Sequence, residues 1–172
     1  MHIRTATKGD LPAILEIYND VLLTSTAIYD DQPSSLEERL DWFEGRVQQG
    51  FPVLVAEQDG TVLGFASYGP WRARWGYRFT VEHSVHVHVD HRGAGIGKAL
   101  LSALIPIARA AGLHVMVGGI DAENLNSIRF HERFGFVQVG HAKEVGRKFD
   151  RWLDLVTMQL FLDHPANLPV GS

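Results

Sequence analysis

Apolar residues recur at helical spacing in two segments near the start of the sequence. Behind Asp10, a favourable N-cap residue, they repeat every three or four positions over residues 11–22. Ser35 and Glu38 have the spacing of a capping box, and the apolar face that follows them ends near Gly50. These patterns predict two consecutive helices, which begin after Asp10 and after Ser35.

Alternating and β-branched runs make up much of the remaining chain. Residues 53–57 and 62–68 are two such runs, and the Asp-Gly turn between them favours a hairpin. Valines alternate with polar residues from Glu82 to Val89, which predicts a strand that leads into closely spaced glycines. Periodicity further predicts a helix that ends at Gly112, a strand over residues 113–120, a helix over 124–134, and strands over 136–142 and 152–162.

The predicted element order, ααβββαβαββ, is typical of an α/β fold with one mixed central sheet and about four flanking helices. No internal repeat, low-complexity tract or linker divides the sequence, so we expect a single domain over residues 1–163. Residues 164–172 include two prolines and are expected to form a loosely ordered C-terminal tail.

Composition and charge limit the classes of protein to consider. The 172 residues are 45% hydrophobic with a net charge of -4, which fits one soluble folded domain and argues against a basic nucleic-acid-binding face. Without cysteine, a disulfide framework, a thiol nucleophile and thiolate zinc ligands are excluded, and the cytoplasm is the expected compartment. The start lacks an apolar signal core, and Pro106, Arg109 and His114 interrupt the most apolar later stretch, so no membrane interaction is expected.

The closely spaced glycines between a strand and a helix are a candidate anion site. From Arg92 to Lys98 every second residue is glycine, and such a turn directs backbone N–H groups outward at the positive end of a helix dipole. A dinucleotide-binding motif fails because Lys98 or Leu100 stands where its last glycine belongs, and a P-loop fails at Arg92 and Ala99. The alternative is that the glycines only form a tight connection.

Two motifs resemble signatures of the GNAT acetyltransferase superfamily. Arg92-x-x-Gly95-x-Gly97 resembles the loop that binds the pyrophosphate of acetyl-CoA in that superfamily. Asn124-x-x-Ser127, followed by the run Phe-His-Glu-Arg-Phe-Gly-Phe, resembles its second signature. The predicted element order is similar as well, so the resemblance covers nearly the whole chain.

Within the superfamily, residues 75–89 and 146–152 are most similar to the phosphinothricin and methionine sulfoximine or sulfone acetyltransferases. The resemblance implies acetyl-CoA as co-substrate, no metal, and a small-molecule amine as acceptor. It implies that amides of the glycine turn bind the diphosphate, while the backbone of Val85 and Val87 pairs with the pantetheine arm. The implied cofactor-binding residues are Val85, His86, Val87, Arg92, Gly93, Ala94, Gly95, Ile96, Gly97, Lys98, Asn124 and Ser127. For Asn124, an alternative role is the N-cap of its own helix.

Acetyl transfer to an amine needs a proton acceptor for the ammonium group, a donor for the tetrahedral oxyanion and a proton for the departing thiolate. Glu82 matches the position of the glutamate taken as general base in the phosphinothricin subfamily; the alternative is a solvated strand-end carboxylate. The resemblance makes His131 a candidate acid, at a position where many GNAT enzymes have tyrosine; the alternatives are a contact to coenzyme A and a residue of the helix face without a chemical role. The backbone N–H of Val87 is the candidate oxyanion donor.

Residues 71–79 mix arginines with aromatic residues and show neither the helical nor the strand period, which predicts a functional loop or an irregular strand. A guanidinium beside flat aromatic walls suits the carboxylate of a small amino acid. The resemblance implies an acceptor with a tetrahedral phosphinate, sulfoximine or sulfone group, and hence detoxification of an amino-acid analogue. The predicted acceptor site contains Ile28, Tyr29, Arg72, Arg74, Trp75, Gly76 and Tyr77. The alternative for the arginine cluster is cation–π packing on the surface, for example at a dimer contact, and a homodimer is expected from the subfamily.

Other classes remain open from the sequence alone. His83, His86, His88 and His91 crowd one strand, which raises a metal site, although no H-E-x-x-H motif or third remote ligand is visible. A CoA-binding module without turnover would keep the glycine turn and dispense with Glu82. Nucleic-acid binding through the arginine cluster is weakened by the acidic net charge. Within acetyl transfer, the alternative acceptor is a protein N-terminus or lysine.

Overall fold

Four helices and seven strands form along residues 1–163, the part of the chain that the computed structural model describes. The helices are α1 (Leu11–Thr24), α2 (Leu36–Gln48), α3 (Ile96–Ala110) and α4 (Leu125–Glu132). The strands are β1 (His2–Thr5), β2 (Val53–Gln58), β3 (Thr61–Pro70), β4 (Thr80–Val87), β5 (Val115–Asp121), β6 (Val137–Lys148) and β7 (Arg151–Phe161). The predicted order is confirmed, with β1 added ahead of the first helix. The predicted tail, residues 164–172, lies outside the described residues.

The starts of the first two helices differ in how they are capped. At α2 the capping box forms as predicted: the Ser35 hydroxyl accepts from the Glu38 N–H at 3.2 Å, and the Glu38 carboxylate accepts from the Ser35 N–H at 2.8 Å. Asp10 precedes α1 but makes no side-chain cap, because its carboxylate binds Arg4 through two bonds of 2.8 Å and accepts from the Thr7 N–H. These bonds lower the pKa of Asp10 to about 2, and the bond to Arg4 has the largest effect.

The seven strands have the order β1-β2-β3-β4-β5-β7-β6. The pairs β1–β2, β2–β3, β5–β7 and β6–β7 are antiparallel, whereas β4 and β5 run parallel. The predicted α/β fold with a mixed sheet and four helices is therefore confirmed. The β4–β5 ladder joins Thr80 to Val115, Val81 to Met116 and Glu82 to Val117, so the last five residues of β4 lie beyond it.

Two compact units make up the described chain. The first comprises Met1–Gly69 and Ser84–Ile107, and the second comprises Pro70–His83 and residues 108–163. The core of the first unit includes Ala6, Leu11, Ile14, Ile17, Phe43, Val53, Val55, Val62 and Phe65. Fully buried residues of the second unit include Met116, Phe136, Leu153, Met158 and Leu160. The extent of the domain, residues 1–163, stays a prediction.

Two segments add detail that periodicity did not provide. The stretch between β3 and β4 contains one short 3₁₀ turn, Trp75–Tyr77, so it is an irregular connection. The helix α3 continues through Pro106, which lies in its interior. Among residues 1–163, no helix is both long enough and apolar enough to span a bilayer.

Candidate active site

The glycine turn of the first unit, residues 92–98, contains two glycines in the left-handed conformation. Gly93 and Gly95 have φ values of 83° and 79°, a left-handed conformation that favours glycine. A Cβ atom at either position would meet open space. Among residues 1–163, no hydrogen-bond acceptor faces the N–H groups of residues 93–98, and α3 begins at Ile96. Six N–H groups in the turn and the first residues of this 15-residue helix could therefore hold an anion such as a diphosphate.

The second half of β4 lies in the same unit, and its backbone N–H and C=O groups point alternately toward β3 and away from it. The His88 N–H donates to the Leu63 carbonyl of β3 at 2.9 Å. Because the backbone groups of successive strand residues point to opposite sides, Val85 and Val87 direct theirs away from β3. Both residues lie beyond the ladder with β5, so their N–H and C=O groups suit an added strand-like ligand.

His86 packs its ring within the first unit. The ring centroid lies 5.3 Å from that of Phe65 and 6.3 Å from that of Tyr18. Burial, followed by the charges of Arg39 and Arg92, lowers the pKa of His86 to about 4. A ring with this pKa is neutral at physiological pH, so His86 contributes no positive charge to the binding of a diphosphate.

Two further predicted residues belong to this unit. Ile28 and Tyr29 lie between α1 and α2 and are both half-buried. Arg92, at the start of the glycine turn, forms an ion pair of 3.5 Å with Asp20 of α1. The turn is thereby tied to α1 at its first residue.

In the second unit, two consecutive glycines of β5 make room for two consecutive side chains of β4. A Cβ atom on Gly119 would lie 3.3 Å from the Glu82 Oε1, and one on Gly118 would lie 2.8 Å from the His83 Cε1. Neighbouring strand residues face opposite sides of a sheet. Glu82 is exposed whereas His83 is buried. Gly119 therefore leaves space for the exposed Glu82 side chain, and Gly118 leaves space for the buried His83 ring.

His131 is buried in the second unit and bonded through both ring nitrogens. Its Nδ1 lies 2.7 Å from the Ser127 carbonyl, and its Nε2 lies 2.9 Å from the Nε2 of His83. Burial lowers the pKa of His131, and the bond to the Ser127 carbonyl opposes this effect. Sequence reasoning treated His83 only as part of a metal cluster and missed this pairing. The available signal was the Gly-Gly pair within a strand, since strand glycines often mark a close approach.

Asn124 and Ser127 lie at the start of α4, as predicted. The Asn124 Oδ1 accepts from the Ser127 N–H at 3.1 Å, which makes Asn124 the N-cap of the helix. This bond fixes both residues relative to each other. It is compatible with a contact to the cofactor arm as well.

The arginine and aromatic residues between β3 and β4 form a stacked surface segment. The Arg72 guanidinium lies 4.6 Å from the Trp71 ring centroid, and the Trp71 and Tyr77 rings meet edge to face at 5.4 Å. The Tyr77 N–H donates to the Arg74 carbonyl at 2.9 Å, which closes the turn around Gly76. Trp75 is 77% exposed. The segment thus offers cations beside accessible aromatic faces.

The predicted site residues are distributed over both units. The glycine turn, Val85, His86, Val87, Ile28 and Tyr29 belong to the first unit. Glu82, His131, Asn124, Ser127, Arg72, Arg74, Trp75, Gly76 and Tyr77 belong to the second. Within residues 1–163, no group of three or more histidine, cysteine or acidic side chains is arranged to hold a metal ion.

Comparison with known proteins agrees with these features. The Acetyltransferase (GNAT) family profile matches residues 12–136. An L-methionine sulfoximine/L-methionine sulfone acetyltransferase of Salmonella typhimurium is 51% identical over 96% of this chain and 97% of its own. A phosphinothricin N-acetyltransferase of Alcaligenes faecalis is 39% identical over 91% of this chain and 80% of its own. A Salmonella typhimurium structure with its cofactor acetyl-CoA has a TM-score of 0.92 and 50% identity, and covers 99% of this chain and 98% of its own.

The chain therefore belongs to the GNAT acetyltransferase family. It is an acyltransferase that uses acetyl-CoA to acetylate an amine. The resemblance drawn from the glycine turn and from the Asn124 motif is confirmed, and so is the likeness to the methionine sulfoximine and phosphinothricin enzymes. The open N–H groups of residues 93–98 fit the diphosphate of acetyl-CoA.

Proposed function

We propose that the acceptor is the α-amine of a small amino-acid analogue of the methionine sulfone, methionine sulfoximine or phosphinothricin type. The names of two relatives, which share 51% and 39% identity with this chain, support this class. The observation that carries the proposal is the segment around Arg72 and Arg74, where the Arg72 guanidinium lies 4.6 Å from the Trp71 ring centroid and Trp75 and Tyr77 are exposed. Such a surface suits a small carboxylate-bearing acceptor, and the physiological role is then detoxification of amino-acid analogues.

The proposed reaction is a direct attack within a ternary complex. Glu82 takes a proton from the acceptor ammonium, and the neutral amine attacks the thioester carbonyl. The new N–C bond forms, and the oxyanion is held by the N–H of Val87. The C–S bond then breaks, the amide nitrogen loses its extra proton to solvent, and the departing thiolate takes a proton from His131. One proton is released in the complete reaction.

In this proposal the co-substrate is bound mainly by backbone groups of the first unit. The N–H groups of residues 93–98 bind the diphosphate, and the backbone of Val85 and Val87 pairs with the pantetheine amides. Asn124 and Ser127 contact the arm as well. The open left-handed positions of the turn and the orientation of the Val85 and Val87 backbone support this arrangement.

We expect the Arg72→Ala and Arg74→Ala variants to raise the KM for methionine sulfone by about ten-fold or more each, with kcat less affected. The reason is the loss of a charge-assisted bond to the acceptor carboxylate. Arg78→Ala is the matched control, because Arg78 lies in the same segment and stacks on Trp75 and Phe79 at 4.7 and 4.4 Å. Steady-state kinetics of thiol release provide the measurement. An equal loss for an acceptor amine that lacks a carboxylate would reject the carboxylate clamp.

The acceptor class is tested by thiol release across a panel of amines. The panel contains methionine sulfone, methionine sulfoximine, phosphinothricin and short peptides with a free N-terminus or a lysine. We expect kcat/KM to be highest for the amino-acid analogues. Faster acetylation of the peptides would replace the proposed acceptor with a protein N-terminus or lysine, while leaving the acetyl-CoA chemistry intact.

We also propose that the enzyme is a homodimer in the cytoplasm, where acetyl-CoA is supplied. The strand β6 is last in the sheet order and exposes the side chains of Val137, Val139 and Val145. Trp152 and Phe149 are also more than half exposed. Exposed apolar side chains along an edge strand support association with a second copy. Light scattering that finds only the 19.2 kDa monomer at micromolar concentration would contradict the dimer.

A further inference from the structure

The buried pair of His83 and His131 forms a continuous chain of contacts in the second unit. The rings join through their Nε2 atoms at 2.9 Å, and their Nδ1 atoms face the carbonyls of Val117 and Ser127 at 2.9 and 2.7 Å. The two residues are only 8% and 7% exposed. The chain of groups therefore runs from one carbonyl through the two imidazole rings to the other carbonyl, and it contains three hydrogen-bonding contacts.

Three contacts need three protons, because a carbonyl oxygen only accepts. Two neutral imidazoles carry two protons between them. A neutral pair would thus leave one of the three contacts without a proton. In that contact a nitrogen lone pair would face either a carbonyl oxygen or the lone pair of the other Nε2 atom, at a distance of 2.7–2.9 Å. The pair satisfies every contact only when it holds one additional proton, shared between the two Nε2 atoms.

The surroundings act on this proton in opposite directions. Burial disfavours a charged ring and lowers the pKa of His131. The extra proton is favoured, in contrast, because without it one hydrogen bond in the buried site would be missing. The rings of Phe130 and Phe136 pack against the pair at 5.2–5.3 Å. Within residues 1–163, burial and the Ser127 carbonyl are the influences on the pKa of His131, without a carboxylate or cation among them. Glu82, the neighbour of His83, lies beside Gly119 instead of Gly118.

We infer that His83 is a positioning residue: it shares one extra proton with His131 and holds the His131 ring so that this proton is available for the departing thiolate. The inference rests on the proposed role of His131 as the acid. In the step itself, the thiolate sulfur forms an S–H bond, the three-proton pair becomes a two-proton neutral pair, and solvent returns the proton before the next turnover. Both ring nitrogens of His131 are engaged, so the only proton it can release without losing a backbone contact is the one shared with His83.

The protonation state is measured without turnover, by long-range ¹⁵N–¹H NMR on protein labelled at its histidine rings. In the unmodified enzyme at neutral pH, we expect three protons on the four ring nitrogens of the pair. In His83→Phe, which preserves an aromatic ring beside Phe136, we expect His131 to be neutral with its proton on Nδ1. Two neutral rings in the unmodified enzyme would overturn the shared proton, whatever the activity of the protein.

The link to catalysis is measured by the split between kcat and KM. We expect His83→Phe to lower kcat by at least about ten-fold, with the KM for acetyl-CoA nearly unchanged, and His83→Gln, whose amide can still bond His131, to recover part of the loss. An unchanged kcat in a folded His83→Phe variant would overturn the positioning role. Loss of acetyl transfer in the unmodified enzyme would reject the proposed function instead, and the NMR proton count would still stand.

Gly118→Ala perturbs the pair without altering either histidine. Its Cβ would lie 2.8 Å from the His83 Cε1, so the ring must shift. Gly140→Ala in β6 is the matched control, because its Cβ would meet Thr157 at an ordinary 3.7 Å. We expect Gly118→Ala to reproduce the changes in the NMR spectrum and in kcat, and Gly140→Ala to leave both unchanged. Folded Gly118→Ala protein with a displaced His83 signal and full kcat would contradict the inference.

Discussion

Glu82→Gln is expected to lower kcat by about 10²–10⁴-fold, the range typical of a lost general base, while the affinity for acetyl-CoA stays nearly the same. The glutamine amide has the shape of the carboxylate but cannot take a proton from the acceptor ammonium. Because Glu82 is exposed and glutamine has nearly the same shape beside Gly119, we expect the variant to fold. Thiol release measures kcat, and calorimetry with acetyl-CoA measures the affinity.

The pH dependence separates a base from a residue that only binds the acceptor. If Glu82 accepts the proton, the acidic limb of the kcat/KM profile should flatten in Glu82→Gln, since no carboxylate remains to be protonated there. Glu37→Gln, an exposed carboxylate in the first turn of α2, is the control for the change in net charge. A Glu82→Gln profile with the same shape as that of the unmodified enzyme would remove Glu82 from the role of base.

Most of the fold could be predicted because its elements carry strong local signals. The capping box at Ser35 and the alternation before Val87 mark element starts and faces directly in the sequence. The strand β1 was missed because its four residues are too few for a period to emerge. Its evidence is non-local: the pairing of residues 2–5 with residues 54–57 of β2.

The candidate site was predictable to different degrees for a similar reason. The glycine turn depends on backbone conformation, which closely spaced glycines indicate, and Gly93 and Gly95 have left-handed φ values. The partnership of His83 with His131 joins residues that are 48 positions apart, and the separation hides it from local periodicity. Only Gly118 and Gly119 hinted at it, since a Gly-Gly pair inside a strand leaves space for side chains of the adjacent strand.

The second large effect is expected at the glycine turn: Gly95→Val should weaken acetyl-CoA binding by at least about ten-fold. Gly95 has a φ of 79°, which a β-branched residue adopts only with strain. The turn is then expected to relax toward negative φ, which would redirect the N–H groups of residues 93–98 that are proposed to bind the diphosphate. Calorimetric titration with acetyl-CoA gives the dissociation constant directly.

Gly60→Val is the matched control for this substitution. Gly60 has a φ of 78°, and its Cβ would also meet open space, but it lies in the turn between β2 and β3. The two variants therefore carry the same backbone strain and should lose similar thermal stability, while only Gly95→Val loses affinity for the thioester. If Gly95→Val binds acetyl-CoA as tightly as the unmodified enzyme, binding of the diphosphate does not depend on the left-handed geometry at Gly95. A parallel loss in both would assign the effect to general destabilisation instead of the turn.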